Sequence, residues 1–296
     1  MSAVRVAVVT SGAGFEHDVD LPLIVTALRA EGLAVEAVAW DDDAAAWDGF
    51  DLAVIRSTWD YATRLDEFLA WADTTSRSTR LLNPASMVRW SSDKRYLLAL
   101  AEHGVPVVPT RVLEPGDPCG EADFDRADDV VVKPTVSAGA QDTARYEPGQ
   151  AAQAVRHARM LLDEGRAALI QPYLSLVEEG ERALVFVRGA FSHAMRKGPL
   201  LTEPGVMDNF RMPHPDLAPY WPTDAELRTA SAALAAIPSP RTPLFARVDL
   251  VLDENREPVI MELELIEPNL FLQTNPRGLK LLVEAVAAEA GLKAAR

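Results

Sequence analysis

Arg247-Val248-Asp249 and Met261-Glu262-Leu263-Glu264 stand in two short apolar runs, Leu244 to Leu252 and Pro258 to Leu265. The turn-type segment Asp253-Glu254-Asn255-Arg256 separates them and reads as the tip of a hairpin. Alternate residues of a strand share a face, so Glu262 points with Glu264 and Arg247 points with Asp249. Antiparallel pairing can bring all four to one face. Three carboxylates gathered in a half-buried sheet are unfavourable without a cation. An oxygen-only set suits Mg²⁺ or Mn²⁺ shared with substrate phosphates. The same alternation also allows the acids to face solvent with the aliphatic residues packed inward, and the pattern alone does not choose between these faces.

Several cations could complete such a site. Lys133 ends the β-branched run Val130-Val131-Val132, where a charge is unusual unless it points into a cleft. The small-residue loop Ser137-Ala138-Gly139-Ala140 follows, and it would let backbone N–H groups approach phosphate oxygens. It is not a Walker A loop, because the G-x-x-x-x-G-K-[ST] order is absent. Lys94 and the pair Arg196-Lys197 are further candidates, although each taken singly reads as an ordinary solvated cation. Ser11-Gly12-Ala13-Gly14-Phe15-Glu16-His17 begins like a dinucleotide fingerprint, but His17 occupies the third glycine position. No G-x-S-x-G element is present. The single cysteine, Cys119, allows neither an intramolecular disulfide nor a cysteine zinc site.

The elements that must position these residues begin with strands at Val4–Val9, Ala34–Ala39 and Leu52–Ile55. Helices at Leu21–Glu31 and Leu65–Ala72 alternate with them. This is the pattern of a parallel α/β unit, whose functional loops lie at the carboxyl ends of the strands: Thr10–Asp20 and Arg56–Tyr61. Asn83-Pro84 marks a boundary. A helix is expected over Ser92–His103, carrying Lys94, then an extended piece to Thr110. A strand at 130–134, a helix at Pro148–Glu164 and a strand at Leu169–Leu174 follow, then further strands at Ala183–Val187 and Ala190–Met195. Thr202–Pro222 reads as a long proline-rich loop, and Arg277–Ala290 as a closing helix. A chain of 296 residues with 48% hydrophobic and 25% charged residues is a globular protein of more than one domain. Its net charge of −15 disfavours nucleic acid as a partner. No apolar run approaches the roughly 20 residues that span a bilayer, and no targeting segment opens the chain, so a cytoplasmic location is expected.

In order, Lys94, Lys133 with its loop, Gln171-Pro172-Tyr173-Leu174, Arg247-Val248-Asp249 and Glu262-Leu263-Glu264 resemble the ATP-grasp superfamily. The resemblance implies an α/β fold in three parts: an N-terminal α/β domain at 1–88, a central lid domain at 89–173 and a C-terminal domain at 174–296. ATP lies between the last two. It implies that Lys94 and Lys133 meet phosphates and that Ser137, Ala138 and Gly139 cover them. Gln171, Tyr173 and Leu174 meet the adenine, and Glu178 or Glu181 takes the ribose. Asp249, Glu262 and Glu264 hold two Mg²⁺ ions, with Mn²⁺ as a substitute. The usual Glu-x-Asn ending is here Glu262-x-Glu264, an added negative charge.

Arg56-Ser57-Thr58-Trp59-Asp60-Tyr61, Asn83-Pro84, Arg89 to Tyr96 and Glu262 to Leu272 are similar to the O-ureido-D-serine cyclo-ligases of D-cycloserine biosynthesis. That likeness implies a small amino-acid-like substrate whose carboxylate becomes an acyl phosphate and is then attacked by a nitrogen. Arg247 would stabilise the oxyanion, and Arg196 or Lys197 would grip phosphate or carboxylate. Asp18, Thr58, Trp59, Tyr61 and Asn269 would contact the substrate. A homodimer is a common arrangement of the family. The competing readings are an intermolecular peptide-forming or glutathione-synthetase-like ligase, and a non-catalytic ATP-binding regulator on the same fold.

Overall fold

A computed structural model describes residues 3–124, 128–210 and 216–291. The first unit alternates strands and helices: β1 (Arg5–Thr10), α1 (Gly12–His17), α2 (Leu21–Ala30), β2 (Ala34–Ala39), β3 (Leu52–Ser57), α3 (Leu65–Thr75) and β4 (Arg80–Leu82). They form a parallel sheet in the order β2-β1-β3-β4. Every residue of β3 is buried, as a parallel strand covered on both faces should be. The stretch after β1, expected as a loop, turns at once into α1. Ser11 caps this helix by accepting from the Gly14 N–H. Gly14 is demanded by packing, since a Cβ there would lie 2.2 Å from Thr10 Oγ1 and 2.4 Å from the Ser57 carbonyl.

Asn83 ends this unit with φ 67°, a left-handed conformation that asparagine tolerates better than most residues. Its buried amide donates to the Phe245 and Leu265 carbonyls at 3.0 and 2.7 Å and accepts from the Leu244 N–H at 2.7 Å. Asn83 is thus a rivet between the first unit and the segments that carry Phe245 and Leu265.

The helix expected over 92–103 is shorter, α5 (Tyr96–Glu102), and a separate helix, α4 (Ala85–Ser91), precedes it. The break at 92–95 has a local cause. The Asp93 carboxylate accepts from the Arg95 N–H at 2.9 Å, and the Lys94 N–H donates sideways to the Thr135 carbonyl at 2.8 Å. Lys94 therefore sits in a turn, aimed across the molecule. Met87, Tyr96, Leu97 and Leu100 from these helices pack with Leu184, Val248 and Ile260 of the third sheet. Residues 106–108 run parallel to the edge of that sheet. The Ile260 N–H donates to the Pro106 carbonyl at 2.8 Å, and the Val108 N–H donates to the Ile260 carbonyl at 2.9 Å.

The second sheet holds β5 (Arg111–Leu113), β6 (Val130–Pro134), β7 (Ala144–Tyr146) and β8 (Ala168–Pro172), antiparallel in the order β5-β8-β6-β7. Helix α6 (Ala151–Asp163) covers it with Ala154, Ala158 and Leu161, and buried Cys119 joins the same core. The third sheet runs β11-β10-β9-β12-β13, also antiparallel, from β9 (Glu181–Val187), β10 (Ala190–Lys197), β11 (Ala218–Tyr220), β12 (Phe245–Leu252) and β13 (Pro258–Glu264). β11 lies inside the stretch read as a proline-rich loop. Helix α7 (Asp224–Ala235) begins with a capping box formed by Thr223 and Glu226. Helix α8 (Pro276–Glu289) closes the chain. Val6, Val8, Leu28 and Val54 share one core with Val185, Phe245, Leu282 and Val286, so the first and third units pack together.

Candidate active site

The β12–β13 register places Arg247 opposite Glu264 and Asp249 opposite Glu262, with a bulge just after Asp249. The intervening Val248, Leu250 and Leu263 are buried in the core under α4 and α5. The four charged side chains are therefore on the other face, directed into the cleft, which decides the alternation left open by the sequence. One carboxylate oxygen from each of Asp249, Glu262 and Glu264 lies within 4.8 Å of the others.

Cations surround this trio. Arg247 donates twice to Asp249, from Nε to Oδ1 and from Nη2 to Oδ2, both at 2.9 Å. It also donates to Glu264 and, at 3.2 Å, to the Asn269 carbonyl. Lys197 Nζ lies 2.7 Å from Asp249 and 2.8 Å from Glu181. From the second sheet, Lys133 Nζ reaches Glu262 at 3.2 Å. Lys94 Nζ stands 3.9 Å from the same Glu262 oxygen and donates to the Ser137 carbonyl and hydroxyl at 2.8 and 3.1 Å. Lys94 thus links the small-residue loop to the carboxylate hairpin, and the site lies between the second and third sheets.

The charges do not cancel. Glu181, Asp249, Glu262, Glu264 and Glu267 face Lys94, Lys133, Lys197 and Arg247, one more acid than cations. Burial opposes the ionisation of Asp249, yet Arg247 and Lys197 outweigh it and hold this carboxyl well below the usual range. Burial likewise opposes Glu262, but Lys94 and Lys133 keep it below its ordinary value. Burial, with Asp249 and Glu262 adding to it against Arg247, pushes Glu264 up to about 7. Burial and the nearby Glu264 push Glu267 up to about 8. Burial depresses the Lys133 ammonium despite Glu262, whereas Asp249 and Glu181 overcome burial and raise Lys197. The site is thus short of one positive charge, and the raised carboxyls of Glu264 and Glu267 are the groups that can take up a proton to supply it. An oxygen-only donor set with that deficit fits a divalent cation.

Other residues singled out in the sequence fall differently. Gln171 donates to Thr110 Oγ1 at 2.9 Å, so its amide is turned to the second sheet's root. Tyr173 and Leu174 pack with Met261 on a small apolar cluster of Val108, Val177, Val251 and Val259, and the guanidinium of Arg145 lies 3.8 Å over the Tyr173 ring. Glu181 belongs to the charged cluster, whereas Glu178 is exposed at the rim. Arg196, beside Lys197 on β10, is exposed and packs over Gly180, so strand alternation removes it from the cluster. Asp18, Thr58 and Tyr61 are buried, whereas Trp59 and Asn269 are partly exposed. Asp18 is committed to Arg56 at 3.0 Å. Sequence reasoning missed Glu267 as part of this centre, because its closeness to Lys94 and Arg247 is set by the fold and not by a local pattern.

Residues 6–83 match the family profile described as the N-terminal domain of the D-cycloserine synthetase DcsG. Over 293 residues the chain is 38% identical to the cycloserine biosynthesis protein DcsG of Streptomyces lavendulae, covering 95% of this chain and 97% of the relative. The chain belongs to the DcsG family. A crystal structure of the D-cycloserine synthetase DcsG matches the fold with a TM-score of 0.90 at 36% identity, over 97% of this chain and 99% of the other. A RimK-domain ATP-grasp protein from Sphaerobacter thermophilus matches with a TM-score of 0.67 at 20% identity, over 95% and 98% of the two chains, and shows the fold alone. The expected ATP-grasp fold is therefore the observed one, and this DcsG-family chain is an ATP-dependent ligase. Among solved structures of this fold, a D-alanine–D-alanine ligase from Bacillus anthracis at 13% identity is complexed with ATP, and the ATP-grasp ligase PsnB at 14% identity with Mg and ADP. Among the described residues no helix is long and apolar enough to cross a membrane.

Proposed function

We infer that the chain joins a carboxylate to a nitrogen within one amino-acid-like molecule, through an acyl phosphate, as an O-ureido-D-serine cyclo-ligase does. The observation that carries this reading is the carboxylate hairpin, forked by Arg247 and faced by Lys94 and Lys133 from the opposing sheet. ATP lies in the cleft, its adenine against Tyr173, Leu174 and Met261 and its ribose hydroxyls on Glu178 or Glu181. Its phosphates lie under the loop from Ser137 to Gly139. Asp249, Glu262 and Glu264 would hold Mg²⁺, which neutralises phosphate charge.

A substrate carboxylate oxygen attacks the γ-phosphorus, the bond to the bridging oxygen breaks, and ADP leaves. Lys94 and Lys133 stabilise the charge that gathers on the phosphates, the main catalytic work in phosphoryl transfer. The nitrogen of the same molecule then attacks the acyl carbon. Arg247 faces the oxyanion of the tetrahedral intermediate. The new nitrogen–carbon bond closes the ring, the carbon–oxygen bond to phosphate then breaks, and the departing phosphate takes up the nitrogen's proton. Lys197 fixes the Asp249 carboxylate at Oδ2, the oxygen that also accepts from Arg247 Nη2. Trp59 and Asn269 supply the accessible substrate contacts. The cleft must exclude water, because an exposed acyl phosphate hydrolyses.

The test is ADP release by the purified protein with Mg²⁺ and ATP, against a panel of amino acids that includes O-ureido-D-serine, offered singly and in pairs. Release with a single substrate, abolished in Glu262→Gln, supports ring closure. Release only with pairs identifies an intermolecular ligase. ATP binding without release under any condition identifies the non-catalytic alternative.

A further inference from the structure

Three consecutive peptide carbonyls, those of Glu267, Pro268 and Asn269, are each held by a different side chain. Trp59 Nε1 donates to the first at 3.3 Å, Arg56 Nη1 donates to the second, and Arg247 Nη1 donates to the third at 3.2 Å. A few residues on, the N–H groups of Leu272 and Gln273 donate to Asp20 at 3.1 and 3.0 Å. Asp20 is itself paired with Arg56 Nη2 at 3.2 Å, and Asp18 shares the same nitrogen at 3.0 Å. Arg56 and Asp20 thus close a ring of hydrogen bonds around the strap from 267 to 273. The strap's interior is equally constrained. Asn269 accepts from the Phe271 N–H at 2.8 Å, and Phe271 is left-handed at φ 55°. Arg56, Asp18 and Asp20 are all at least nine-tenths buried, so these bonds form away from competing water.

Trp59 and Arg56 come from the first unit. Arg247 comes from the carboxylate hairpin. The strap is where they meet. We propose that Arg56 is a positioning residue, which fixes the strap and thereby aligns Arg247 and Asn269 for the nitrogen's attack on the acyl carbon. Resting on the ligase reading, this separates the two chemical steps. Lys94, Lys133 and the loop from Ser137, which face the ATP phosphates, make no bond to the strap, and the metal-holding Asp249 and Glu264 reach it only through Arg247, so acyl-phosphate formation depends on the strap less than the second step does. The second step needs Arg247 in register with the substrate. When the strap loosens, water attacks the acyl phosphate instead and returns the free carboxylate and phosphate, spending ATP without product.

Arg56→Lys keeps the buried positive charge but cannot serve two carboxylates and a carbonyl together. Asp20→Asn cuts the same ring from the other side and serves as a second variant. For both, ADP release should persist, while ring product formed per ADP should fall on the order of tenfold or more, the scale of a small misplacement of reacting groups. Equal loss of ADP release and product, or an unchanged ratio, overturns the proposal. Amide hydrogen exchange reads the strap without reference to catalysis. In Arg56→Lys the Leu272 and Gln273 amides should exchange at least about tenfold faster, with β6 unaffected. Unchanged exchange at those two amides refutes the ring itself. Absence of substrate-dependent ADP release in the unaltered protein would instead fault the ligase reading and leave the exchange result to decide the strap.

Discussion

Lys197→Met tests the placement of the charged cluster more directly than any substitution of a carboxylate. The lysine side chain is 7% exposed and lies between Asp249, 2% exposed, and Glu181, 10% exposed. Asp249 would retain both bonds from Arg247, but Glu181 has no other ion-pair partner among the described residues. Breaking a buried pair by removing one partner costs about 3–5 kcal/mol. The surviving Arg247 fork and the similar volume of methionine place the expected loss near the lower figure, about 3 kcal/mol at pH 7. The sign of the pH dependence follows. Asp249 and Glu181 hold the Lys197 ammonium above its ordinary value, so its contribution is fully present at neutral pH and is lost only as pH rises into the strongly alkaline range. Lys197 helps Arg247 hold the Asp249 carboxyl low against burial, so in the variant this part of the loss should shrink as pH falls toward about 4.5. Urea unfolding at pH 7 and pH 4.5 measures both effects. Arg196→Met is the internal control: one residue away on the exposed face, it should change stability by less than about 0.5 kcal/mol. Equal effects of the two substitutions, or a pH-independent loss for Lys197→Met, would refute the strand register on which the site is built.

Two further expectations concern the metal and the frame. Glu264 is pushed up to about 7, above the unfolded value of a glutamate, so a divalent cation must displace a proton there. Affinity for Mg²⁺, measured by calorimetry without nucleotide, should rise between pH 5 and about 8, and Glu264→Gln should flatten that rise. Without metal, the same raised carboxyls make the folded state lose stability as pH climbs from about 4.5 to about 8. Asn83→Ala would remove three buried hydrogen bonds and place a less tolerant residue at φ 67°, for an expected loss of about 3 kcal/mol in denaturant unfolding. Asn83→Gly should lose less, because glycine accepts the backbone angle.

The parts of this molecule legible in the sequence are those with local causes. The runs in β1, β3, β12 and β13 declare themselves by their many aliphatic residues, and the two-residue period predicts the shared face of Arg247, Asp249, Glu262 and Glu264. Which face turns to the cleft depends on α4 and α5 covering the other one, and no local pattern contains that. The capping candidates Ser91-Ser92-Asp93 put Lys94 in a helix on sequence grounds, but the backbone is diverted by Asp93 and by Thr135, far along the chain. The Ala-rich run of α7 shows little apolar periodicity, so the Thr223-x-x-Glu226 box is the local signal of a helix there. Arg196 and Lys197 looked equivalent as a basic pair, and strand alternation separates them. Arg56 was visible only as part of a motif. Its partners on the strap lie more than two hundred residues away, and a fully buried arginine has no signature in a single sequence.

The second sheet leaves and re-enters the rest of the protein at neighbouring points. Thr110 and Gln171, at its root, share a hydrogen bond of 2.9 Å. To the remainder of the chain, the whole excursion from Arg111 to Pro172 therefore resembles a loop whose ends are already joined. Closure entropy grows only slowly with length, so insertions within such an excursion burden the surrounding fold little. Its own helix and four strands supply the core that orders it. The chain can thus alter the reach of the surface bearing Lys133 by changing an insert, while the carboxylate hairpin, laid down by other segments, keeps its geometry.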